Sequence, residues 1–286
     1  MLINKYTFSG HESFPCKALW LKKGYDFALE NNDWNELYSI VKLGVGKNMV
    51  ASIRYWMRAF GMLDDDGLTD IAHLIFDSNN GTDPFIEDLG TLWLLHYTLI
   101  STGEATLYRL FFTNFQRERL TFDREHVVAF VKRTMTEKGK LKSFNENTVK
   151  KDVGVLLQNY VLSHKTLSME DYSVLMTDLD LIRLSGDEKQ YSFNVEGKRQ
   201  IPLEILLYAI VREKGDNDSV DYDMLQTIGS IFCLTDMELI NMLIDIQELF
   251  PDVFRYSDTA GLRQVQFLHK LKPSEVLKHY YRNEEF

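Results

Sequence analysis

The chain predicts a mainly α fold with small β wings, arranged as tandem winged-helix or helix-turn-helix-like units. Three observations carry this. Only five prolines interrupt 286 residues, so long helices can persist. Apolar residues recur at helical spacing, as Val50, Ile53, Met57 and Phe60 do at i, i+3, i+7 and i+10. Short strand patterns bounded by turn residues follow pairs of helices. The length favours two or three compact units, taken as 1–100, 101–201 and 202–286.

A short amphipathic helix is expected over 34–42, broken by Gly44 and Gly46, with a longer one from about Asn48 to Phe60 stopped by Gly61. Val50, Ile53, Met57 and Phe60 face inward on it. Lys47, Arg54 and Arg58, with small Ala51 between them, form another face bordered by Asn48, Ser52 and Tyr55. A short helix, a glycine turn and a second helix with a basic outer face outline a helix-turn-helix. Gly61-Met62-Leu63 and Leu68-Thr69-Asp70 would make a small wing before a helix over 71–76. Asp83-Pro84 offers an N-cap and first helical residue for a helix over 85–100.

The pattern recurs. Helices are expected at 106–116, 123–135 and 149–162, the last with Val149, Val153, Leu156 and Tyr160 inward and Asn147, Lys150 and Lys151 at its exposed start. A hairpin wing follows at 181–184 and 190–193. The third unit has helices at 203–213, 221–232 and 236–249 and a wing at 254–256 and 264–267 around Gly261. Lys214 to Ser219 reads as a linker.

The net charge of −10 looks hostile to DNA, but its distribution matters more. Residues 161–286 hold 13 basic and 22 acidic groups, residues 1–60 hold 8 and 5, and residues 105–151 hold 11 and 5. The first half can therefore present a basic face, while the acidic part suits contact with proteins. Lys5, His11, Glu12, Lys17, Lys22 and Lys23 leave no signal-peptide core. No apolar run approaches the roughly 20 residues that cross a bilayer. Two distant cysteines, Cys16 and Cys233, make no disulfide framework or zinc module. A cytoplasmic protein with no membrane partner is expected.

Gly10 to Lys17, with sequence GHESFPCK, is the densest polar and aromatic stretch, too dense for an ordinary helix face or turn. His11-Glu12 starts like a zinc-protease motif, yet Pro15 stands where the second histidine belongs. The pair could serve as general base and metal ligand for phosphodiester cleavage, or form a hydrogen-bonded structural knot. Asp83, Glu87 and Asp88, with Glu12, are candidate ligands for Mg2+ or Mn2+, although capping is the better explanation of Asp83. Gly44-Val45-Gly46-Lys47 is no P-loop, because Val41 replaces the first glycine and Asn48 the hydroxyl residue. Lys47 remains able to meet a DNA phosphate. Lys17, Lys22 and Lys23 add to the basic set. His96 reads as a core histidine, and Cys16 lacks an activating base.

The runs GHESFPCKALWLKKGYD, LGVGKNMVASIRYW and DPFIEDLGTLWLLHY, within residues 10–97, resemble the SspB-type proteins of bacterial DNA phosphorothioation loci, part of a broader family known only as a domain of unknown function. The resemblance implies DNA work in a phage-defence modification system. A partner cysteine desulfurase there supplies sulfur, and an ATP-dependent sulfurtransferase activates it. The SspB-type component is expected to bind double-stranded DNA and nick one strand so that sulfur can enter. The alternatives are a non-catalytic DNA-binding adaptor that recruits this machinery, and a transcriptional regulator of the locus.

Overall fold

The helical periodicity is realised. In the computed structural model, which describes residues 6–162, 174–186, 189–195, 200–259 and 262–284, helices dominate and the named strands form two three-stranded antiparallel sheets. The chain divides into two compact units, to Asn194 and from Val195 onward. The expected unit 202–286 falls in the second, and 1–100 lies in the first with most of 101–201.

In the first unit, α1 (Trp20–Leu29) forms where no helix was expected, because Trp20, Leu21, Gly24, Tyr25 and Phe27 make one buried face amid the charges. Gly24 permits that packing, since a Cβ there would lie 2.6 Å from Met57 Cγ. Helix α2 (Tyr38–Leu43) is shorter than expected and ends at Gly44 in the left-handed conformation, φ 66°. Extended Gly46 then starts α3 (Lys47–Ala59), whose predicted inner face is buried. The expected first wing is a single antiparallel bridge, Leu63 to Leu68. Thr69 caps α4 (Asp70–Phe76).

Helix α5 (Leu89–Ser101) is apolar all round and buried from Gly90 to Ile100. It starts later than expected, with Asp88 as its N-cap. Helix α6 (Thr106–Leu110) runs through a π-helical segment, Phe111–Phe115, into α7 (Gln116–Glu118). There Phe111 packs on Phe115, Phe122 and Phe193 at 4.7–5.5 Å between centroids. Strand β1 (Thr121–Phe122), α8 (Arg124–Glu137, capped by Asp123), α9 (Glu146–Tyr160, capped by Asn145), β2 (Ile182–Leu184) and β3 (Tyr191–Phe193) complete the unit. The predicted inward face of α9 is buried.

The second unit holds α10 (Leu203–Lys214), β4 (Ser219–Asp221), α11 (Tyr222–Ile231), α12 (Asp236–Leu249), β5 (Phe254–Thr259), β6 (Leu262–Phe267) and α13 (Pro273–Arg282). Gly261, expected at its wing, lies outside the described residues. The expected linker from Lys214 to Ser219 is instead the end of α10, a short turn and the start of β4, and buried Lys214 donates through Nζ to the carbonyls of Gly215 and Asn217, both at 3.0 Å. Each unit contains the order helix, strand, helix, helix, hairpin. Each sheet places its third strand between the first and second, β1-β3-β2 and β4-β6-β5. Among the described residues no single helix is long and apolar enough to cross a membrane.

Candidate nucleic-acid interface

Residues 6–16 have no regular secondary structure, so their backbone groups must find partners elsewhere. Side chains of α3, α6 and α9 supply them. Thr106 Oγ1 accepts from the Thr7 N–H at 2.8 Å, and Asp152 Oδ2 from the Ser9 N–H at 2.8 Å. Ser52 Oγ donates to the His11 carbonyl at 3.0 Å, and Trp56 Nε1 to that of Phe14 at 3.1 Å. Asn159 Oδ1 accepts from the Cys16 N–H at 2.9 Å.

His11 sits at the centre, 3% exposed. Its Nδ1 accepts the Ser13 N–H at 3.1 Å, and its Nε2 lies 3.0 Å from Asp152 Oδ1. A ring nitrogen that accepts an N–H carries no proton, so Nε2 holds the hydrogen and donates it to the carboxylate. The ring also stacks on Trp56 and meets Tyr55 edge-on. Both nitrogens are thus engaged within the protein. Ser9, Gly10, Glu12 and Ser13 all have positive φ, from 48° to 109°, a strained conformation held by this buried network. Exposed Glu12 stands on that strained turn. Burial pushes the Cys16 thiol well up, away from a reactive thiolate.

Beside the loop, α3 and the 34–40 segment enclose a groove of about 570 Å³. Trp34, Glu36, Leu37 and Ile40 make one wall, and Lys47, Ala51, Arg54, Tyr55 and Arg58 the other, with Gly10 reaching it from the loop. The cations share a stripe because 47, 54 and 58 are seven and four residues apart. Arg58 pairs with Asp65 at 2.8 Å. Burial, with the negative charges of Asp152 and Glu104, pushes the Tyr55 phenol far up, so it remains a proton donor. Trp34 packs on Phe27 with centroids 4.6 Å apart.

The structure gathers Lys47, Arg54, Tyr55 and Arg58 of the expected contacts. Asn48 is exposed at the start of α3 but does not line the groove. Ser52 is buried against the loop, not at the border of the basic face. Lys17 bridges to Val174; Lys22 pairs with Asp26; Lys23 is exposed. Lys150 pairs with Glu146 across one turn of α9 at 2.7 Å, and Lys151 is exposed. None of these lines the groove. Asp83 accepts the N–H groups of Glu87 and Asp88 at 2.8 and 3.1 Å, and Asp88 accepts that of Gly90 at 2.8 Å. Those carboxylates cap the backbone before α5, and they fit a metal ion poorly. Among the described residues no group of three or more His, Cys, Asp or Glu is arranged to hold a metal. His96 is a core histidine, 2.8 Å from Tyr160 Oη.

Two partners were missed. Asp152 and Asn159 lie on the inward face of α9 with Val149, Val153 and Leu156. A carboxylate on an apolar face is itself a signal, because burial demands a partner. The Trp34 wall was read only as helix.

The fold and groove define a predominantly helical protein with a cationic cleft on its first unit. The chain belongs to the DUF4007 family, proteins of unknown function, whose family model matches residues 8–281. Two solved structures share its fold. A magnesium ion-bound SspB crystal structure matches with TM-score 0.82 and 24% identity, covering 98% of this chain and 89% of that one. A second SspB crystal structure matches with TM-score 0.80 at the same identity and coverage. No curated protein matches the sequence.

Proposed function

We propose that this chain is the DNA-binding component of a DNA phosphorothioation system and opens one strand for sulfur to enter. The observation that carries the reading is the stripe of Lys47, Arg54 and Arg58 facing an open groove, in a fold shared with SspB crystal structures. Cations in a row neutralise phosphates and release counterions whatever the sequence. The repeated order of helix, strand, two helices and hairpin supports reading the units as winged helices. The acidic second unit suits contact with a cysteine desulfurase and a sulfurtransferase ATPase.

The nicking role rests on the resemblance, and the geometry reshapes its residues. His11, with both nitrogens engaged, is a positioning residue for the loop that presents Glu12. One solved neighbour is described as magnesium ion-bound, and magnesium or manganese belongs with the nicking role here. Asp83 and Asp88 are spent on backbone amides, so an ion for that role would have to be held by other groups. That same observation favours the second reading, a DNA-binding adaptor without its own chemistry.

A supercoiled-plasmid assay with magnesium, manganese or EDTA separates the two. Open circles formed with an ion and abolished by Glu12→Gln support the nickase. Intact plasmid, with DNA still bound, assigns the adaptor. Loss of binding altogether removes both.

A further inference from the structure

A helix that reads duplex DNA enters a major groove about 12 Å wide, so its basic face must stand clear on both sides. Helix α3 does not. Arg54 and Tyr55 are half-buried and look across the groove at Trp34, Leu37 and Ile40, while Ser52 is buried against the His11 carbonyl. Two strands cannot embrace such a helix. One strand can. Lys47, Arg54 and Arg58 succeed each other at about 10 and 6 Å of helical rise, a single row that follows one backbone. At about 570 Å³ the groove falls in the roughly 300–1,000 Å³ range of small-molecule pockets.

The opposite wall sets the aromatic and apolar Trp34, Leu37 and Ile40 among the polar Asn35 and Ser39 and the acidic Glu36. Trp34 and Leu37 line the groove, and Leu37 is 85% exposed. A large apolar side chain left this open next to a row of cations matches what unpaired bases need. Every base has a face to stack, and aromatic residues beside a basic track hold single strands without reading sequence.

We infer that this groove takes an unpaired stretch of DNA, its phosphates along α3 and a base against Trp34. The inference rests on the proposed DNA-binding role and narrows it from duplex to locally opened DNA.

The test uses the full chain and one short labelled oligonucleotide in three forms: blunt duplex, duplex with a central unpaired bubble, and single strand. The bubble and single strand bind about tenfold tighter than the duplex at equal salt, the worth of one stacked base. Binding quenches tryptophan emission, and the signal comes from Trp34 because Trp20, Trp56 and Trp93 are 4%, 0% and 2% exposed. Trp34→Leu keeps apolar bulk against Phe27, removes the quench and lowers the unpaired-to-duplex ratio about tenfold. Leu37→Ser, at an exposed position of the groove lining, lowers the same ratio without a packing change. Equal binding of all three forms, or a ratio unmoved by both variants, overturns the inference while leaving the DNA-binding role in place. Failure to bind any form overturns that role as well.

Discussion

The loop from Ser9 to Cys16 and the groove along α3 share Gly10, yet they spend their polar residues in opposite ways. In the loop, His11 and Cys16 are consumed internally, while Glu12 is left exposed. His11 is held by Asp152, which lies 141 positions away, and Cys16 by Asn159, 143 away. In the groove, Lys47 and Arg54 face open space. Residue type alone does not separate a site from a structural knot. What separates them is whether a distant partner arrives to satisfy the group, and that depends on tertiary packing.

The comparison breaks most sharply at Asp152. Asp152→Ala removes two hydrogen bonds to a buried carboxylate, from His11 and Ser9, and strands both donors. We expect a loss of about 3 kcal/mol in urea denaturation, with DNA affinity of the folded fraction unchanged. A loss below about 1 kcal/mol would mean that the loop is not held as described. Gly10→Ala comes next, at about 1–3 kcal/mol, because φ is +109° and the new Cβ would lie 2.6 Å from Tyr55 Cδ2. Since Tyr55 must move, this variant alone should weaken both folding and DNA binding.

Ser52→Ala sharpens the boundary between the regions. It deletes the hydroxyl bonded to the His11 carbonyl, so it should cost about 1 kcal/mol and leave the salt dependence of DNA binding untouched. Arg54→Ala is its mirror image. Stability should stay within about 0.5 kcal/mol, while the salt slope of binding falls by about one unit. An unchanged slope takes Arg54 off the contact surface.

Local physics made much of this legible. The inner faces of α3 and α9 and the hairpins at β2–β3 and β5–β6 follow from periodicity and turn chemistry. The cationic stripe of α3 was legible for the same reason. Two things were not. Helix α1 hid because its lysines obscure a buried face, and the role of His11 hid because its acceptor belongs to another helix. The start of α5 was misplaced because Asp83 and Asp88 both cap, and Asp83 closes only the turn ahead of the helix.

The smallest effect is expected at Tyr55, where the two regions touch. Its ring meets His11 edge-on at 5.8 Å and lines the groove. Burial, aided by Asp152 and Glu104, raises its phenol far above the ordinary 10.0. A group with a raised folded pKa contributes stability in full below its unfolded pKa and loses it as pH rises beyond that value. Tyr55 therefore costs nothing at neutral pH and begins to destabilise the fold above pH 10, where the unfolded phenol ionises and the folded one does not. Tyr55→Phe should match the parent protein in urea denaturation at neutral pH and resist alkaline unfolding better. The advantage is partial, because burial raises Tyr108 in the same direction. Parallel stability curves for the two proteins above pH 10 would show that the ring is open to water, and the groove would then reach further toward His11 than the packing of Tyr55 allows.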